Sequence, residues 1–218
     1  FLALRAGQDT EAEAALGSIL SYYQSGELET ALDGTNSQPG LIEIADDYGD
    51  RTAAPFFAAD ALFQLGRYDE AERYFRMVDF GGLFGASATA GLGAVQEMKG
   101  ELGDAGELYE RAARDFAGDA TAPGYLLDAG RAFQGAGDME AAERVYQRIL
   151  DDYEDTPEAL TAQVELASVV AAQGAVGEPT GDVEPAPAQD STAVAAPAPG
   201  VMDEAAMQQA IQDALANQ

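Results

Sequence analysis

Four glycine–alanine pairs set a period along this chain: Gly26 with Ala31, Gly66 with Ala71, Gly100 with Ala105, and Gly137 with Ala142. In each pair the alanine follows the glycine by five residues, and successive alanines lie 40, 34 and 37 residues apart. An aromatic stands four residues after the last three alanines, as Phe75, Tyr109 and Tyr146. Three positions further on come Val78, Ala112 and Ile149. Self-similarity at a period of roughly 20–50 residues marks a chain of stacked units, each burying its apolar face only against its neighbours. The fold class is therefore all-α, built from helix–turn–helix repeats.

The spacing has a physical reading. Small residues at Ala59, Gly93 and Gly130 fall on the first helix of each pair and the recurrent alanines on the second. Facing small side chains let two helices approach to the short end of the usual range, about 8 Å. The glycine ends the first helix because it tolerates the left-handed conformation of a tight turn. The aromatic shares the alanine's face and is expected to reach the next unit.

The segments AADALFQLGRYDEAERYFRMV (58–78) and DAGRAFQGAGDMEAAERVYQRIL (128–150) resemble tetratricopeptide repeats. The resemblance implies a right-handed α-solenoid of about four units whose first helices line a concave groove for a peptide or protein segment. Carried over unit by unit, that groove takes Phe56, Asp60, Phe63 and Gln64 from the second unit. The third gives Ala90, Ala94, Glu97 and Met98, and the fourth Leu127, Arg131 and Gln134. Relatives that clamp a carboxylate need several lysines and asparagines at such positions. Here Arg131 alone is basic, so an apolar segment with basic or neutral flanks fits better. The expanded first unit and the stretches 46–75 and 125–159 are together similar to a subgroup of bacterial tetratricopeptide proteins. Members commonly carry an N-terminal membrane anchor with the repeats outside the cytoplasm.

Charge narrows the partners. The chain carries 39 acidic and 11 basic residues, a net −28, with Lys99 the only lysine and no basic residue after Arg148. Such a surface repels nucleic acid and anionic lipid. Acid spread this evenly fits a halophile's surface better than a protein seeking basic partners. Without cysteine there is neither a disulfide nor a thiol nucleophile. Without histidine the usual general base and the commonest metal ligand are missing. Gly91-Leu92-Gly93 begins like a dinucleotide fingerprint but lacks its third glycine and a preceding strand, and reads as small residues in a packed helix. The run Asp151-Asp152-Tyr153-Glu154-Asp155 lacks the alternating ligands of a calcium loop and reads as a solvated helix end. No catalytic residue, cofactor or metal is expected, and a carboxylate-based enzyme is the weakest alternative.

Along the chain, Thr10-Glu11-Ala12-Glu13 reads as a capping box opening a helix to about Gln24. Turn formers at 33–40 break the first unit, and 41–48 is helical again. Units follow at about 52–85, 86–119 and 123–156, and Thr156-Pro157-Glu158 opens a capping helix to about Gln173. Residues 1–173 thus form the solenoid. Residues 174–200 hold five of the nine prolines and read as a linker. In 201–218, Met207, Ile211 and Leu215 recur at i, i+4 and i+8 on one helical face. This terminal helix is expected to dock in the groove beside Phe56 and Phe63, or in a neighbouring copy. The function expected of the whole is a non-enzymatic scaffold, with self-assembly through the terminal helix as the alternative.

Overall fold

The repeating glycines all close helices in one way. Gly26, Gly66, Gly100 and Gly137 have φ of 78°, 74°, 83° and 81°. The residue after each donates its N–H to a carbonyl five residues back: Glu27 to Tyr22, Arg67 to Leu62, Glu101 to Gln96 and Asp138 to Phe133, all at 2.9 Å. This closure satisfies carbonyls that a helix end leaves open, and it needs a left-handed residue. The same turn therefore recurs four times, in the register that the sequence period gives.

The computed structural model describes residues 2–49, 52–78, 83–115 and 120–176. The turns separate α1 (Leu2–Gln24) from α2 (Leu28–Asp33), α4 (Ala54–Gln64) from α5 (Tyr68–Met77), α6 (Leu83–Lys99) from α7 (Leu102–Asp115), and α8 (Ala122–Ala136) from α9 (Met139–Asp152). Between α2 and α4 lie a two-stranded hairpin, β1 (Gly34–Thr35) with β2 (Gln38–Pro39), and α3 (Leu41–Tyr48). The last described helix is α10 (Pro157–Val176). From α3 onward each helix packs on the next, and one core runs continuously from Leu16 to Val169. This is an all-α tetratricopeptide-type solenoid.

Ala31, Ala71, Ala105 and Ala142 are all fully buried. The small residues opposite them accommodate aromatics. A Cβ on Gly93 would meet the Tyr109 ring at 2.9 Å, and one on Gly130 the Tyr146 ring at 2.3 Å. Tyr109 and Tyr146 therefore reach back across the first helix of their own unit. Phe75 alone follows the expectation, lying against Gly91 of the next unit, where a Cβ would meet its ring at 2.4 Å. The GLG run of α6 is thus a pair of ring seats. Scarce cations join neighbouring helices: Lys99 of α6 reaches Asp69 (2.7 Å) and Glu72 (2.6 Å) of α5, Arg144 of α9 reaches Glu110 of α7 (2.8 Å), and Arg73 of α5 reaches Asp46 of α3 (3.0 Å).

Several boundaries differ from expectation. α1 begins at Leu2, so Thr10 lies inside it and not at its start. The residues before Thr10 are mostly good helix formers, and the Thr-x-x-Glu spacing suits a helix interior as well as its start. α6 starts at Leu83, ahead of the expected 86. Thr156 does not cap through its hydroxyl, which donates to the Tyr153 carbonyl at 2.8 Å. α10 continues to Val176, into the stretch assigned to the linker. The rest of that linker and the 201–218 segment, with Met207, Ile211 and Leu215, lie outside the described residues.

Candidate functional site

The groove residues assigned from the second unit are mostly interior. Phe56 is 1% exposed and packs edge-on against Phe57, Phe75 and Phe84, with ring centroids 5.6, 6.2 and 5.4 Å away. Phe63 is buried against Tyr68 at 5.4 Å. Asp60 has no exposed surface. Its Oδ2 accepts from the Tyr23 hydroxyl of α1 and from Gln64 Nε2 at 2.5 Å, while Oδ1 is buried without a hydrogen bond. Burial pushes its carboxyl above the ordinary range, against the two hydrogen bonds that favour the charged form. Neighbouring helices cover these residues: α1 sets Tyr23 on Asp60 and against Phe57 at 5.4 Å, Phe75 of α5 and Phe84 of α6 cover Phe56, and Tyr68 of α5 covers Phe63. These positions therefore belong to the core, and Gln64 alone of the four is exposed. Leu127, Ala90 and Ala94 are likewise buried.

Of the remaining expected residues, Glu97 of α6 and Arg131 and Gln134 of α8 lie around Tyr109, Asp128 and Tyr146. A repeated device holds them. Tyr109 crosses beneath Gly93, and its hydroxyl donates to Glu97 Oε2 at 3.0 Å. Tyr146 crosses beneath Gly130, and its hydroxyl donates to Gln134 Oε1 at 3.2 Å. In both units the tyrosine lies twelve residues after its acceptor. The second unit has Phe75 and Phe63 at these two places and so lacks this hydrogen bond. Burial raises the phenol of Tyr109, helped by the charges of Glu97 and Asp128, and burial pushes Tyr146 up to about 12.

Asp128 of α8 completes the cluster. Its side chain is 17% exposed and lies 3.9 Å from Arg131 Nη1. Burial pushes its carboxyl up to about 7; Arg131 opposes the rise and the charge of Glu97 adds to it. Glu97 is thus close enough to act on Asp128, which faces the half-exposed guanidinium of Arg131, and Met98, next to Glu97 in the chain, is 53% exposed. Such a surface can hold a cationic group between Glu97 and Asp128 and an apolar one on Met98. Tyr109, Tyr146 and Asp128 were absent from the sequence-derived set. The twelve-residue spacing of each tyrosine from its acceptor was the available signal, and Asp128 sits one turn before Arg131.

Asp128 makes a pH prediction. Its ordinary value is 3.8 and its folded value about 7, so the folded chain binds this proton more tightly than the unfolded one. Its contribution is fully present below about pH 4, is lost between pH 4 and 7, and stays lost above. Asp128→Asn should therefore raise stability at pH 8 by up to about 4 kcal/mol, or up to roughly 8–16 °C. At pH 3.5 the melting temperatures should coincide. A difference independent of pH would contradict the buried titration.

A separate depression of about 530 Å³ lies along α7, with Arg76 of α5 and Gln96 of α6 on its walls. Arg111 and Arg114 line it and make no ion pair among the described residues. Among the described residues, no group of acidic side chains converges to hold a metal, and no helix is long and apolar enough to cross a membrane.

The sequence profile described as tetratricopeptide repeat matches residues 58–120 and 127–178, more than half of the chain. No curated protein matches the chain. The first matched stretch opens within α4 and takes in α5, α6 and α7; the second opens within α8 and takes in α9 and α10. With the turn geometry, the buried alanines and this match, the chain belongs to the tetratricopeptide repeat family.

Proposed function

We propose that the chain is a scaffold receiving a segment of another protein on the shared face of α6 and α8. Repeats of this family generally serve as protein–protein interaction modules and are typically non-enzymatic. One observation carries the finer reading: the charge of Glu97 reaches Asp128 of the neighbouring first helix, Glu97 is held in place by a buried phenol, and Met98, next to Glu97 in the chain, is 53% exposed. The ligand that fits is a segment with a lysine, arginine or amino group beside an apolar side chain. Preorganisation by Tyr109 lowers the ordering cost of binding.

Fluorescence-polarisation screening of a peptide library, with Lys- and Arg-flanked apolar peptides against Asp- and Glu-flanked ones, tests this. Basic-flanked peptides should be preferred. Their affinity should drop at least tenfold in Glu97→Gln/Asp128→Asn and stay within twofold in Arg111→Ala/Arg114→Ala. Preference for acidic peptides, lost in the arginine variant, would move the site to the depression along α7 and end the present reading.

A further inference from the structure

α10 carries an apolar face with nothing on it among the described residues. Leu160 is 72% exposed and Val164 70%, and Ala167 and Ala171 continue the same face at i+7 and i+11. The preceding units show what this face is for. In each, the second helix begins nine residues after the small residue on the first: Ala59 and Tyr68, Gly93 and Leu102, Gly130 and Met139. Gly93 and Gly130 are 37 residues apart, and 37 further is Ala167, in the exposed face. α10 is therefore the first helix of a fifth unit, presenting the seat of a second helix.

By the nine-residue rule that helix would begin at Val176. The sequence forbids it: residues 177–200 hold five prolines, each of which removes a helical donor and clashes with the preceding turn. The next stretch with helical periodicity is 201–218, where Met207, Ile211 and Leu215 share one face. We propose that residues 201–218 form the displaced second helix of this fifth unit, seating Met207, Ile211 and Leu215 on Leu160, Val164, Ala167 and Ala171.

Reach, charge and area agree with this occupant. From Val176 back to Leu160 is about 24 Å along a helix, and a 24-residue chain spans roughly 24–29 Å. Between Leu160 and Val176 the only charged residue is Glu165, so Asp203, Glu204 and Asp213 of the segment meet no like-charged row. A second copy is the weaker occupant. Two large side chains and two alanines fall far below the roughly 1,200 Å² of a stable interface, whereas a tether supplies an effective concentration of about millimolar. The buried Phe56 and Phe63 offer no seat at all.

The absence of cysteine allows a clean test on the full chain. Val164→Cys is combined in turn with Met207→Cys, Ile211→Cys and Leu215→Cys, and with Gln209→Cys on the opposite face of the segment. Under mild oxidation at micromolar protein, at least one apolar-face pair should close a disulfide within the monomer. It should form at least tenfold faster than the Gln209→Cys pair, as read on non-reducing gels. Equal rates from both faces would mean an unseated segment and overturn the proposal. So would disulfides only between chains, which would assign the face to a second copy, or no disulfide from any pair.

Discussion

Truncating Phe56 to alanine should cost about 3–5 kcal/mol of stability, the range for large aromatics removed from a core. The ring is almost fully buried and touches Phe57 on its own helix, Phe75 on α5 and Phe84 on α6. It thus joins two units, and its loss should loosen their junction as well as leave a cavity. Urea unfolding followed by far-ultraviolet circular dichroism measures this. A midpoint unchanged from the parent chain would mean that Phe56 lies on an accessible surface after all, and would contradict the packing of α4 on α5 and α6 described above.

Gly130→Ala is expected to destabilise by about 1–3 kcal/mol, although alanine is the better helix former by roughly 1 kcal/mol. The added methyl would lie 2.3 Å from a ring carbon of Tyr146, which is fully buried and bonded through its hydroxyl to Gln134. The ring has no free end to swing away. Gly124, in the same helix, has nothing within 4 Å of a Cβ, so Gly124→Ala should be neutral or stabilising by up to about 1 kcal/mol. The same pair of substitutions made in Tyr146→Ala separates contact from propensity. There Gly130→Ala should lose its penalty, a coupling of at least 1 kcal/mol between neighbours. Additive effects would mean that the glycine is not the ring's seat.

The solenoid was legible because its determinants are local and repeated. A glycine that must take positive φ, an alanine five residues on and an aromatic four beyond that are fixed by the turn and by the helix face, and each acts within one unit. What the aromatic touches was not legible. Phe75, Tyr109 and Tyr146 share a register, yet one reaches forward to Gly91 and two reach back to Gly93 and Gly130. The direction depends on which neighbouring helix offers a residue without a Cβ.

For the candidate site the division is sharper. Glu97, Met98, Arg131 and Gln134 could be placed from the register alone, because the face of a repeat helix follows from its period. Phe63 stands at the register position of Glu97 and Gln134, and Asp60 at that of Arg131, yet both are buried. Their burial was decided by other helices: α1, some 40 residues distant, gives Asp60 a buried phenol as its partner, and Tyr68 of α5 packs on Phe63. Nor could the raised proton affinity of Asp128 be read from the chain, since it comes from desolvation and from the charge of Glu97 on another helix. The sequence by itself determined the helices, their turns and the period of their stacking, because these depend on conformational preference and on contacts at short separation. Only the tertiary structure decided which of the equivalent positions face solvent and which carboxyls are pushed above their ordinary range, because burial and electrostatics depend on whatever other helices bring to the same place.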